Sequence, residues 1–332
     1  WRILQQADVI VYDRLVNPEL LRHARPDAET LYAGKETERH SIPQEEIHRL
    51  LIERAQSGRV VCRLKGGDPF LLGRGGEEAA ALAAAGIPYE VVPGVTAATA
   101  VPAYAGIPVT CRGVAASVAI VAGQGESATR PEYWDAVARV ETLVILMGVE
   151  RLPAIVTELL ARGRAPDTPV ALVRWGTYPH QETLVATLGD VVERVRAAGF
   201  RRPAVIVVGE VVRQRQTLAW FERRPLFRRR VLVTRSGEPA AELVQRLAEL
   251  GAEPIEAPLL RFVPLPVDLA RLEAGWDWIV FTSANAVRFL LDALAAAGRD
   301  VRALGTARLA AIGGATARAL SEVGLRVDFT AA

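Results

Sequence analysis

Short runs of β-branched and apolar residues alternate along the chain with longer amphipathic or alanine-rich stretches. Parallel strands covered by helices produce this pattern, and it predicts an α/β class. Strands are expected at Val9–Tyr12, 59–64, 89–92, 117–121, Thr142–Leu146, Pro169–Arg174 and Ala204–Val208, with helices in the gaps. The clearest helix runs from 43 to 56. Pro43 suits a first turn, Glu45 and Glu46 complement the positive end of the helix, and Gly58 stops it. A composition break follows at 222–230, where Arg-Arg-Pro and Arg-Arg-Arg flank Leu226 and Phe227, and a linker is placed at 223–229. Beyond it the alternation resumes with a strand at 231–234, a helix at 239–250, a strand at Trp278–Phe281 and a helix from about Ala284.

With 332 residues, half of them hydrophobic, the chain can bury cores for two or three units of ordinary size. Forty basic against 38 acidic residues leave a net charge of +2, which gives no global reason to expect nucleic acid or a membrane surface as partner. The longest apolar stretches, such as 79–85, fall far short of the ~20 residues that span a bilayer. No secretory signal opens the chain, and Cys62 and Cys111 lie in apolar text that suits reduced thiols, so a soluble cytoplasmic protein is expected. The sole methionine is Met147, the chain opens at Trp1 inside helix-like text, and a strand has barely begun at 325–329 when it ends. A piece cut at both ends is the expectation.

Candidate chemistry gathers where strands end. Arg63-Leu64-Lys65-Gly66-Gly67-Asp68-Pro69-Phe70 follows a strand, and Gly73-Arg74-Gly75-Gly76 then opens a helix at Glu77. Such a turn lets backbone amides approach a ligand, and it equally serves as a tight structural turn. Only two of the forty basic residues are lysines, Lys35 and Lys65. An ammonium can change protonation state or act as a point donor where guanidinium stays charged, so Lys35 is a proton-transfer or carboxylate-binding candidate, with drift in codon usage as the alternative. Asp13 ends the first strand at the carboxyl edge where open α/β sheets place ligands, and it could instead cap the following helix. Met147 and Gly176 also follow strands; core packing is the ordinary role of a lone methionine. The four histidines, His23, His40, His48 and His180, lack metal-ligand spacing, and no metal is expected.

Together these words resemble the uroporphyrinogen-III C-methyltransferase family. The resemblance rests on Tyr12-Asp13-Arg14-Leu15-Val16, Gly34-Lys35, Leu64 to Phe70, Gly73-Arg74-Gly75, Val92-Pro93-Gly94-Val95-Thr96-Ala97-Ala98, Tyr104 to Thr110 and Leu146-Met147-Gly148, in order, over about 1–222. It implies a two-lobe tetrapyrrole methylase fold, lobes about 1–115 and 116–222, binding S-adenosylmethionine, with S-adenosylhomocysteine as product. By motif it places a proton acceptor on Asp13 and a proton donor or substrate anchor on Lys35. Cofactor contacts fall on Gly66, Gly67, Asp68, Leu71, Thr96, Ala97, Met147 and Gly176. It also implies a homodimer through this region. The family's opening strand and glycine- and proline-rich loop are not in the sequence, so activity of this chain does not follow from membership.

After the linker, Val231 to Arg235, Gly251-Ala252-Glu253-Pro254, Phe281 to Val287 and Ile312 to Ala317 resemble the start of uroporphyrinogen-III synthase. An incomplete two-lobe α/β synthase domain over 230–332 is therefore expected, unable to close the cyclisation and with the apolar helix face of Leu290, Leu291 and Leu294 uncovered. The reaction implied is C-methylation of uroporphyrinogen III to precorrin-2 in siroheme or cobalamin biosynthesis. The substrate is a small-molecule tetrapyrrole rich in carboxylates, for which Lys65, Arg74, Arg39 and Arg112 are candidate partners; in the synthase segment Ser283 and Asn285 suit a substrate carboxylate and equally suit capping of the helix that begins near Ala284. The alternatives are another tetrapyrrole-type methyltransferase and an inactive cofactor- or tetrapyrrole-binding fragment.

Overall fold

The computed structural model describes residues 1–34, 42–235 and 238–331. Its contacts divide into two compact units, Trp1–Val231 with Val244–Ile255, and Leu232–Leu243 with Glu256–Ala332.

The first unit opens with α1 (Arg2–Gln6), β1 (Val9–Tyr12), β2 (Glu29–Tyr32), α2 (Gln44–Gln56) and β3 (Val61–Leu64). The three strands form a parallel sheet in the order β2-β1-β3, with Val9 opposite both Glu29 and Val61. Central β1 is covered on both faces. Val9 and Val11 meet Ile47 and Leu51 of α2, while Ile10 and Cys62 meet Leu4, Ala7, Leu20 and Leu21. Burial on both sides explains why β1 reads as an unbroken apolar run. β2 carried no such run, since all its residues keep some exposure, and it was not foreseen.

Beyond β3 come a turn, α3 (Gly75–Ala84), a loop over 87–96 and α4 (Ala97–Tyr104). The strand expected at 89–92 is absent: this stretch joins no sheet, and Tyr89 and Val92 stay at least half exposed. Its apolar content suits a strand, but a strand exists only where a neighbour completes its hydrogen bonds, and among the described residues none lies alongside.

A second sheet follows from β4 (Val118–Ala122), α5 (Pro131–Val137), β5 (Thr142–Leu146), α6 (Leu152–Ala161), β6 (Pro169–Arg174), β7 (Glu182–Thr187), α7 (Val191–Ala197), β8 (Ala204–Val208) and α8 (Arg215–Leu218). The order is β4-β5-β8-β6-β7, parallel only between β4 and β5 and antiparallel at the other three seams. The α/β class holds, but this sheet departs from the parallel strands that the alternation suggested. The link from β6 to β7 is a short turn, and a parallel return would need a crossover of a dozen or more residues. One face packs Leu143, Ile145, Leu172 and Ile206 against Trp134, Ile155, Leu159 and Val191 of the covering helices. The other packs Val144, Ala171, Val173 and Val205 against Ala98 and Val101 of α4. Helix α4 thus brings the loops of the first sheet onto the second.

The region expected as a linker is anchored to this unit. Phe221 is buried between Tyr104 and Phe227, at ring distances of 4.8 and 5.5 Å, and the Arg224 guanidinium lies over Trp220. Glu222 accepts from Gln181 Nε2 at 2.8 Å, from Thr183 Oγ1 at 2.6 Å and from Arg215. Then come β9 (Arg230–Val233), α9 (Glu238–Glu249) and β10 (Glu253–Glu256), through which the division between units passes.

The second unit contains β11 (Trp278–Phe281), α10 (Ala284–Ala296), β12 (Arg308–Ile312), α11 (Gly314–Glu322) and β13 (Phe329–Ala331), the strands parallel in the order β11-β12-β13. The final strand starts at Phe329, where the expected one would have ended. Phe281, Val287, Leu309, Ala311 and Leu320 form its core. The expectation of an uncovered α10 is corrected: Leu294 is buried, and Leu290 and Leu291 pack partly onto this core beside α11. Apolar exposure lies instead on the opposite sheet face, at Trp278, Val280, Ile312 and Phe329. No described helix is long and apolar enough to cross a membrane.

Glu222 gives a test of how its segment is held. Burial pushes its carboxyl up, but the Thr183, Gln181 and Arg215 hydrogen bonds outweigh that and hold it below its ordinary value of 4.5. The stability it adds is present above that value and is lost as pH falls through the lower folded one. Glu222→Gln should cost about 2–3 kcal/mol near pH 7. In urea unfolding the gap between variant and parent should narrow as pH falls below 4.5; a gap that stays constant with pH would contradict this account.

Candidate active site

The structure gathers most of the sequence candidates at the carboxyl edge of β1 and β3 and around the α4 N-terminus. Asp13 follows β1 directly. It is not a helix cap: Asn17 caps the following 3-10 turn, its side chain accepting from Glu19 N at 3.0 Å. The Asp13 carboxylate instead accepts from Arg63 Nη2 at 2.7 Å. Lys35 and Arg39 lie outside the described residues.

The turn after β3 is built by backbone closeness. Gly67 has φ +77°, the left-handed region that favours glycine, and its free side lies over Val95, Thr96 and Ala97. A Cβ on Gly94 would run into the Gly67 carbonyl, so the loop before α4 can lie on this turn only with glycine there. Gly66 faces Leu15 of the segment after Asp13. Asp68 ties the two loops: Oδ1 accepts from Phe70 N at 2.9 Å and Leu71 N at 3.1 Å, and Oδ2 from Gly94 N at 3.0 Å. These bonds, Gly94 foremost and then Phe70, hold its carboxyl below the ordinary range against a smaller desolvation effect. Thr96 caps α4, accepting from Ala98 N at 3.2 Å, while Ala97 and Leu71 pack partly onto the apolar face shared with the second sheet.

From the second sheet come Met147, after β5, and Gly176, after β6. Gly176 sits tightly against Val101 of α4. Met147 takes φ +57° and leaves 44% of its surface exposed, so it is no core filler. Of the six non-glycine residues with left-handed backbone among those described, five lie in the loops after β3, β5 and β6: Leu72, Arg74, Met147, Trp175 and Thr177. Each such conformation costs on the order of 1 kcal/mol, and their gathering in ligand-edge loops marks a site whose surroundings enforce the strain.

The basic candidates are engaged differently. Lys65 is nearly buried, with Nζ at 3.0 and 3.1 Å from the two Glu78 oxygens. Arg74 pairs with Glu77, whereas exposed Arg112 has no ion-pair partner among the described residues. Ser283 caps α10, accepting from Ala286 N at 3.2 Å, and Asn285 is half-buried in the first turn of that helix. Among the described residues no group of three or more His, Cys, Asp or Glu could hold a metal. Sequence reasoning missed Arg63, Glu78 and Gly94. The Arg63-Leu64-Lys65 alternation, which puts both cations on one side of a strand, was the available signal for the first two.

The close approach at Gly94 predicts that Gly94→Ala destabilises the first unit by about 1–3 kcal/mol, because the clash is with backbone. Gly76, inside α3 with open space around it, is the contrast; Gly76→Ala should be neutral or stabilise by about 0.5–1 kcal/mol. Thermal unfolding of both variants checks the pair, and equal effects would show that the Gly67–Gly94 contact is not limiting.

Residues 1–192 match the family described as Tetrapyrrole (Corrin/Porphyrin) Methylases, and residues 241–332 match Uroporphyrinogen-III synthase HemD. The porphyrin biosynthesis protein HemD of Ruminiclostridium josui is 41% identical over 99% of this chain and 66% of its own length. The uroporphyrinogen-III C-methyltransferase of Bacillus subtilis (strain 168) is 43% identical over 93% of this chain and 64% of its own length. The chain thus spans somewhat less than two thirds of these curated relatives. A crystal structure of the Thermus thermophilus uroporphyrin-III C-methyl transferase complexed with S-adenyl homocysteine, 44% identical, superposes with a TM-score of 0.55 over 64% of this chain and 90% of that one. The chain belongs to the tetrapyrrole (corrin/porphyrin) methylases, with a uroporphyrinogen-III synthase segment following the methylase region.

Proposed function

We propose that the methylase region transfers methyl groups from S-adenosylmethionine to pyrrole carbons of uroporphyrinogen III, forming precorrin-2, and that the synthase segment belongs to the enzyme that makes this substrate from hydroxymethylbilane. The observation that carries the reading is the gathering of strained or glycine-built loops at one edge, where five of the six left-handed non-glycine residues among those described lie beside the turns holding Gly66, Gly67, Met147 and Gly176. The residues present fit a flat, partly apolar cofactor: Gly67 leaves backbone room, Leu71 and Ala97 offer apolar surface, and Met147 presents an exposed thioether.

S-adenosylmethionine supplies an electrophilic methyl on a sulfonium, whose departure leaves a neutral thioether. The chain's own work is then positioning and proton management. Asp68 holds the two glycine loops in register and has no oxygen left without a backbone donor. Methylation of a fully substituted ring carbon leaves the tetrapyrrole one proton in excess, on a pyrrole nitrogen or a bridging methylene, and Asp13, held from one side by Arg63 and still 29% exposed, can take that proton. With Lys65 and Arg74 already paired, Arg112 is the described candidate for a substrate carboxylate. Lys35 keeps its role from the family resemblance, and Arg39 stays a candidate partner for a substrate carboxylate.

The deciding experiment incubates the protein with uroporphyrinogen III and methyl-labelled S-adenosylmethionine. Label should appear in the tetrapyrrole, with S-adenosylhomocysteine released alongside. Binding of S-adenosylhomocysteine without label transfer would instead identify a binding module. Asp13→Ala should lower turnover about 100-fold while calorimetric affinity for S-adenosylhomocysteine stays within about threefold. Turnover within about threefold of the parent would remove Asp13 from the chemistry.

A further inference from the structure

Three charged side chains, Arg63, Lys65 and Glu78, meet behind Asp13 in an arrangement that the methyl transfer described above leaves unexplained. Arg63 and Lys65 alternate on β3 and the residue after it, so both point to the same side, towards Glu78 in the first turns of α3. The Glu78 side chain is 5% exposed and accepts from Arg63 Nε at 3.2 Å, from Lys65 Nζ and from Gln44 Nε2 at 3.0 Å. Arg63 also donates from Nη1 to the Val11 and Leu64 carbonyls, at 3.2 and 3.3 Å, at the ends of β1 and β3. Every bond of the guanidinium but one therefore goes to fixed, mostly buried structure. The remaining one, from Nη2, goes to Asp13.

We propose that Arg63 is a positioning residue for Asp13: anchored by Glu78 and two strand-end carbonyls, its guanidinium sets the direction in which the Asp13 carboxylate presents its second oxygen. A planar fork held at three points transmits orientation where an ammonium would transmit only charge. Depth adds to this, because exposed pairs swing freely and contribute little, whereas the Arg63 side chain is only 13% exposed. Lys65 completes the set by balancing the charge of Glu78, and its ammonium is thereby withdrawn from substrate recognition.

The inference rests on the assignment of Asp13 to proton transfer, and a double-mutant cycle separates the two. Arg63→Ala should lower kcat about 30-fold, with the tetrapyrrole KM and S-adenosylhomocysteine affinity within about threefold of the parent. Asp13→Ala/Arg63→Ala should turn over no more slowly than Asp13→Ala, since a residue acting through another adds nothing once that other is gone. Arg63→Lys keeps the charge without the fork and should recover kcat only in part; should Arg63→Ala fail to fold, the same cycle run with Arg63→Lys decides. Losses that multiply in the double variant, or loss of S-adenosylhomocysteine binding with kcat unchanged, would overturn the proposal while leaving Asp13 in place. Parental turnover in Asp13→Ala would instead remove the assignment on which it rests.

Discussion

Two sheets with different strand directions must present their edges to one site, and in the first unit this depends on the approach of two backbones at Gly67 and Gly94. No side chain fits between them, and the Asp68 carboxylate holds them by accepting from amides on both loops. Helix α4 starts immediately afterwards, with Thr96 as its cap, and its buried Ala98 and Val101 then seat on the second sheet. The placement of Gly176 against Val101 follows from that seating. A carboxylate read from the motif as a ligand contact thus does its structural work first, ordering the backbone that a ligand would meet.

How much of this was legible in the sequence varied with the kind of signal. Strands buried on both faces, such as β1, β5 and β8, announce themselves as continuous apolar runs and were read within a residue or two. Strands with exposed positions, β2 and β7, carry weaker text and went unread. The stretch at 89–92 shows the reverse failure, since its composition suits a strand but pairing is a property of neighbours that local text does not contain. Glycines and strand ends drew attention to Asp13, Gly66, Gly67, Met147 and Gly176, although Gly94 was passed over. Arg63 and Glu78 went unread, because their significance lies in a contact between residues 15 apart that no motif spells out.

The lysine pattern shows how a correct observation can divide between roles. Scarcity of lysine pointed to both Lys35 and Lys65 as positions where ammonium matters. At Lys65 the reason visible in the structure is a buried carboxylate, Glu78, that needs a compact partner beside an arginine already in place. Burial of an unbalanced acid would be costly, so the ammonium is explained by its neighbour rather than by a substrate.

The second unit carries its own physical signature. Its parallel sheet is sheltered by α10 and α11 on one side, while Trp278, Val280, Ile312 and Phe329 face outward on the other, with Arg308 over the Trp278 ring at 5.6 Å. Parallel sheets ordinarily have both faces covered. Open apolar area of this kind takes up hydrophobic dyes and promotes self-association, so this sheet face is a surface on which folded chains can adhere to one another.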